Sequence, residues 1–180
     1  MMTTMRGFTL IETLVAVTLL ATTIVLPFVA IQRSLIATYA TRDEMVATAL
    51  ASEAIEYVRS VRDSNYLVNL KQPGSNRPWL YGFDGSPGSV NCFAPSRCMV
   101  DATRNSPVLL CPLSGCSTPL YLSSQNLFNQ ANNGTPSIYI RSVQFTQITA
   151  NEVRVTATVT WSDHGRVEEV TVTDILSNWL

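Results

Sequence analysis

Residues 8–31 form a predominantly apolar run with a single charged residue, Glu12. A bilayer-spanning helix needs about 20 such residues, so this stretch predicts a membrane-crossing helix. Residues 32–62 contain no glycine or proline, and Ile36, Tyr39, Val46, Leu50, Ala54, Tyr57, Val58 and Val61 recur there at three- and four-residue spacing. That spacing draws one apolar stripe along a helix. Arg42, Glu53, Glu56 and Arg59 fall largely off it. The stripe reads as the face that packs on a globular domain, with a coiled-coil seam as the alternative. The two segments together predict one helix of about 55 residues, about 80 Å at 1.5 Å per residue. Pro27 lies inside it and predicts a kink, which membrane helices tolerate.

The pattern changes after Asp63. Pro73, Gly74, Pro78, Gly82, Gly85, Pro87 and Gly88 signal turns, and irregular chain is expected to about Pro136. Alternating Trp79, Tyr81 and Phe83 suggest one short strand within it, and the polar residues 126–134 suggest a loop. The last third alternates differently. Ile138, Tyr139 and Ile140 lead into Val143 and Phe145. Val153, Val155, Ala157, Val159 and Trp161 then alternate with Arg154, Thr156, Thr158 and Thr160, as in a half-buried strand. Asp163-His164-Gly165 is a hairpin turn signal. Val167, Val170 and Val172 form the return strand, with a bulge where the alternation slips. Ile175, Leu176, Trp179 and Leu180 close the chain as an apolar tail. The fold class is therefore α+β, a long N-terminal helix packed on a C-terminal antiparallel sheet. Its segments are 1–7, 8–31, 32–62, 63–136 and 137–180.

Charge adds topology. The 180-residue chain has a net charge of −1 and an isoelectric point near 5.8, neither of which suggests a nucleic-acid-binding surface. Arg6 precedes the apolar run, so the positive-inside rule leaves residues 1–7 in the cytoplasm and everything after Ile31 outside it. Arg33 is a weak opposing signal. A carboxylate within a membrane span costs about 2.5–3.5 kcal/mol on insertion scales, which makes Glu12 a candidate functional residue.

The four cysteines, Cys92, Cys98, Cys111 and Cys116, all lie in the irregular segment. In an oxidising compartment they predict two disulfides. Sequence leaves three connectivities open. The local pairs Cys92–Cys98 and Cys111–Cys116 are favoured because short loops close easily. A four-thiolate zinc site is the alternative, although the gaps within the pairs are loose for one. The residues offer little catalytic chemistry. His164 falls in a turn, without a partner that would make it a base. No Ser-His-Asp arrangement, phosphate loop or HExxH pattern occurs. Asp84 and Asp101 lack an oxygen-rich calcium loop. No catalytic residue, metal or cofactor is expected.

The segment Arg6-Gly7-Phe8-Thr9-Leu10-Ile11-Glu12 resembles the processing signal of type IV prepilins and pseudopilins. The C-terminal pattern, a Val-rich strand, Trp-Ser, a polar turn, a Val/Thr strand and a terminal Leu-x-Asn-Trp, resembles minor pilins of the PilV or type II secretion GspI kind. The resemblance implies cleavage between Gly7 and Phe8 by a prepilin peptidase, and N-methylation of Phe8. It also implies filament assembly through Glu12, with residues 1–7 as the leader. The implied partners are the peptidase, other pilin or pseudopilin subunits, an inner-membrane assembly platform and membrane lipid. The implied location is the cytoplasmic membrane, in single-pass form with the C-terminal domain outside the cytoplasm, and then the pilus or pseudopilus. Opposite charges attract strongly at low dielectric, so the α-ammonium freed at Phe8 would be a natural partner for a neighbour's Glu12. Two other readings remain at this stage: a membrane-anchored extracytoplasmic binding module outside any filament, and a major pilin.

Overall fold

The structure, a computed structural model, describes residues 7, 9–72, 74–103, 107–112, 115–163 and 165–178. The chain divides into two units, Met1–Asp43 and Glu44–Leu180. One helix, α1 (Leu10–Lys71, 62 residues), contributes to both.

The N-terminal unit is helical from Leu10 onward, with Pro27 inside the helix. Its large apolar side chains, among them Leu14, Val17, Leu20, Ile24, Phe28 and Ile31, are exposed. By length and composition the helix is sufficient to cross a membrane. Its threonines do not spoil the apolar surface. The hydroxyls of Thr13, Thr18, Thr22 and Thr23 donate to the carbonyls of Leu10, Val15, Leu19 and Leu20, at 2.8–2.9 Å. Polar atoms satisfied within the helix can enter hydrocarbon at low cost.

In the C-terminal unit the helix buries Ala47, Leu50, Ala51, Ala54, Ile55 and Val58. Three alanines lie on the face turned to the sheet. Leu50, Ile55 and Val58 fill the space between, against Phe83, Val143, Phe145, Val153, Val155 and Val159. The helix runs past its expected end at Arg62 to Lys71. Asp63-Ser64-Asn65 looks like a terminus, but no breaker occurs until Pro73-Gly74, and Gly74 takes φ +102°. The extra turns hold the next segment. Asn65, buried, donates to the carbonyls of Trp79 (3.2 Å) and Tyr81 (2.9 Å). Asn69 donates to the carbonyl of Arg77 and accepts its N–H.

Among the described residues eight strands follow: β1 (Cys98–Met99), β2 (Leu109–Leu110), β3 (Tyr121–Leu122), β4 (Phe128–Asn129), β5 (Thr135–Pro136), β6 (Ile140–Thr149), β7 (Glu152–Asp163) and β8 (Arg166–Ser177). They make a five-stranded antiparallel sheet, ordered β2-β1-β6-β7-β8, and a three-stranded one, ordered β4-β3-β5. The α+β architecture, a long helix on an antiparallel sheet, is as expected. The main sheet, however, also draws β1 and β2 from the cysteine-rich segment.

The expected core alternation on β7 holds: Val153, Val155, Ala157, Val159 and Trp161 are all buried. Three other expectations are corrected. Trp79, Tyr81 and Phe83 lie in turns, because Gly82 (φ +108°) and Gly85 (φ +74°) break the chain there. The return strand has no bulge, since β8 pairs with β7 without a register shift from Asp163↔Arg166 to Glu152↔Ser177. The irregularity falls instead between β6 and β7, at Gln147/Thr149. Ile175 and Leu176 belong to β8, with Leu176 buried, rather than to a separate tail. Trp179, Leu180 and His164 lie outside the described residues.

Candidate functional site

The start of α1 is built by a local sequence rule. Thr9 precedes the first helical residue, and its Oγ1 accepts the N–H of Glu12 at 3.3 Å while its carbonyl accepts the same N–H at 3.1 Å. Thr-Leu-Ile-Glu is thus a helix-start pattern with threonine as N-cap and glutamate three residues on. Glu12 also sits where the helix dipole favours a negative charge. Its side chain is exposed. The glutamate singled out as a costly charge therefore also has an ordinary role in starting the helix. The T-x-x-E spacing was the available signal for it.

Gly7 is exposed, and a Cβ added there would meet nothing within 4 Å. The chain itself does not require glycine at this position for space. Phe8, the expected cleavage and methylation residue, lies outside the described residues. Pro27, the expected kink residue, leaves the carbonyl of Thr23 without its usual i+4 donor. Between Thr13 and Ile31 the described side chains are apolar or are threonines whose hydroxyls bond within the helix; charge returns only at Arg33, Arg42 and Asp43.

The C-terminal unit gathers the other candidate residues. Cys92 pairs with Cys98 and Cys111 with Cys116, the favoured connectivity. No free cysteine remains, so the zinc alternative has no thiolates to use. Cys92 exchanges main-chain hydrogen bonds with Phe83 and Phe145. Cys98 pairs with Val143 in the sheet. The first disulfide therefore ties the irregular segment to β6. Among the described residues, no group of three or more His, Cys, Asp or Glu side chains could hold a metal ion.

A residue that sequence reasoning passed over lies at the centre of this unit. Arg141 is fully buried. Its Nη1 donates to the carbonyl of Leu50 (3.2 Å) and to the Glu53 carboxylate, and its Nη2 donates to the carbonyl of Val100 (3.1 Å). One guanidinium thus joins the helix, β6 and the cysteine-rich segment. Its position was signalled by phase, since Arg141 occurs two residues before Val143 and four before Phe145, both core-facing. A second link joins Arg59 on the helix to Asp174 on β8, through Nε (3.1 Å) and Nη2 (2.9 Å). The Asp174 hydrogen bonds, outweighing burial, hold the Arg59 pKa above its ordinary value. These links fix the helix face against the sheet within the unit. They form a scaffold and present no nucleophile or acid-base pair.

No protein-family model, curated protein or solved structure matches this chain.

Proposed function

We propose that the chain is a minor pilin or pseudopilin, a structural subunit of a type IV pilus or type II secretion pseudopilus. The observation that carries the reading is the junction Arg6-Gly7-Phe8, followed at once by a capped apolar helix with one carboxylate, Glu12, in its first turn. Under this reading prepilin peptidase cuts after Gly7 and methylates Phe8. The subunit waits in the cytoplasmic membrane with residues beyond Ile31 outside the cytoplasm. An assembly platform then moves it into the filament.

The physical chemistry favours assembly over permanent residence in lipid. A lone carboxylate in hydrocarbon is costly, and a cation at the new N-terminus of a neighbour lowers that cost. Close packing of the exposed apolar helix surface against equivalent helices replaces lipid contacts by protein contacts. The disulfide-tied sheet unit is suited to an oxidising, extracytoplasmic setting. In this role the protein is a substrate of the peptidase and has no catalysis of its own.

The test is the mature N-terminus in a host that carries prepilin peptidase. The reading expects N-methylated Phe8. A membrane-anchored binding module would retain Met1 and stay out of sheared filaments.

A further inference from the structure

The C-terminal unit contains a cleft of about 390 Å³ lined by Trp79, Phe93, Asp84, Asn91 and Gln147. That volume falls within the small-ligand range, about 300–1,000 Å³. Trp79 and Phe93 are half-buried, so each keeps part of its ring surface available. The segment behind them is held firmly. Asn65 grips the carbonyls of Trp79 and Tyr81, and Phe93 stacks on Phe145 at 5.5 Å between centroids.

The polar groups are equally fixed. Asp84 and Asn91 oppose each other in an antiparallel bridge, which sends both side chains to one side, about 5 Å apart at Cβ. Oδ1 of Asp84 accepts the N–H of Ser86 (3.2 Å), its hydroxyl (2.7 Å) and the hydroxyl of Ser89 (2.7 Å). Oδ2 accepts no hydrogen bond among the described residues. Asn91 Oδ1 accepts the N–H of Phe93 at 3.0 Å, which leaves both Nδ2 hydrogens for a ligand. Gln147 donates through Nε2 to the carbonyls of Thr149 and Glu152, which leaves Oε1 as an acceptor.

This inventory selects a chemistry. An anion would be repelled by Asp84. A simple alkyl or quaternary ammonium would suit Asp84 and the rings, but it carries no acceptor for the Asn91 donors. A ligand that both donates and accepts at neighbouring atoms, and presents C–H faces to aromatic rings, satisfies every group. Adjacent hydroxyls on a sugar ring have that character. We propose that this cleft binds a neutral saccharide, with Trp79 as the stacking face, Asp84 Oδ2 accepting from ring hydroxyls and Asn91 Nδ2 donating to them. The inference does not rest on the filament reading.

The experiment uses the full chain in phospholipid nanodiscs, which carry no sugar headgroup. Saturation-transfer NMR is recorded with lactose, cellobiose and N,N′-diacetylchitobiose. Acetyl-trialanine amide and N-acetyl-lysine amide serve as the peptide and cation comparisons. The expected result is transfer to at least one disaccharide, unchanged between low and high salt. Asp84→Asn keeps an acceptor for Ser86 and Ser89 but replaces Oδ2 by a donor, and should weaken binding about tenfold or more. Trp79→Leu keeps apolar packing but removes the stacking face, and should weaken it similarly. Gln147 is exposed at the rim, so Gln147→Ala reports on the same cleft even where Asp84→Asn fails to fold. The proposal is overturned by transfer to none of the three sugars, by binding that Trp79→Leu and Gln147→Ala both leave intact, or by stronger transfer to either comparison ligand.

Discussion

The Oγ1 of Thr9 accepts the backbone N–H of Glu12 at 3.3 Å, so the one acidic residue of the apolar run is anchored in the cap of its own helix. Two roles for Glu12 are therefore superposed: a backbone and dipole role at the helix start, and a charge available to a partner. They separate experimentally.

Glu12→Gln keeps the cap geometry and removes the charge. Glu12→Leu removes both the charge and the polar side chain. Thr9→Ala removes the cap alone, at about 1 kcal/mol of helix-start stability. Membrane insertion and cleavage should survive in all three, because the span stays at least as apolar. Incorporation into sheared filaments should fall for both Glu12 variants and remain near wild type for Thr9→Ala. Loss in Thr9→Ala with wild-type incorporation of Glu12→Gln would assign Glu12 to the cap instead.

Arg141 and Glu53 should respond asymmetrically. Arg141 is fully buried, whereas the Glu53 side chain is 44% exposed. Arg141→Met strands the carbonyl of Val100 in the core, at about 1–3 kcal/mol, and empties the space of a fully buried side chain, while the carbonyl of Leu50 keeps its helical donor, Ala54. Glu53 then simply rehydrates. Glu53→Gln keeps an acceptor for the guanidinium, and solvent screening limits the lost attraction to about 1 kcal/mol. Denaturant unfolding of the two variants should show the arginine loss at least twice the glutamate loss. Equal losses would mean that the ion pair, rather than the carbonyl contacts, carries the junction.

Helix, sheet and disulfide pairing were legible from periodicity and spacing, and the reasons are local. Val153 through Trp161 alternate without interruption, so one face of β7 declared itself. Helix length was underread because Asp63 and Asn65 look like terminal residues. Asn65 is buried for a tertiary reason, its hold on Trp79 and Tyr81, which leaves no periodic trace. Strands β1–β5 have two residues each, too short for any alternation to register. Trp79, Tyr81 and Phe83 alternate like a strand but are bent by neighbouring glycines. Arg141 was passed over because a charged residue in a core-facing phase reads as a lapse in the pattern, although the phase itself marked it. The cleft beside Asp84 joins side chains from segments far apart in sequence, and no spacing rule links them.

The two disulfides should differ in weight. Closing such short loops contributes about 2 kcal/mol each in the chain-entropy account. Cys92 and Cys98 are fully buried and tied to β6, whereas Cys116 is partly exposed. Replacing Cys92 and Cys98 together by alanine should therefore destabilise the sheet unit more than replacing Cys111 and Cys116. Thermal unfolding under non-reducing conditions measures this, and equal shifts would contradict it. Alkylation of the untreated protein should find no free thiol.

Gly7→Val offers a sharper view of processing. A side chain at this position meets nothing in the chain itself, so far-UV circular dichroism and thermal unfolding should match wild type. Cleavage should nevertheless stop, because the branched side chain would crowd the peptidase. Cleavage at an unchanged rate would remove the glycine from the recognition step.

The most direct measurement of the central claim is intact-mass and N-terminal peptide mass spectrometry of the protein recovered from a host with prepilin peptidase. The account predicts a chain that begins at N-methylated Phe8 and is found in the sheared filament fraction. A chain that retains Met1, or one cut beyond Ala30, would contradict it.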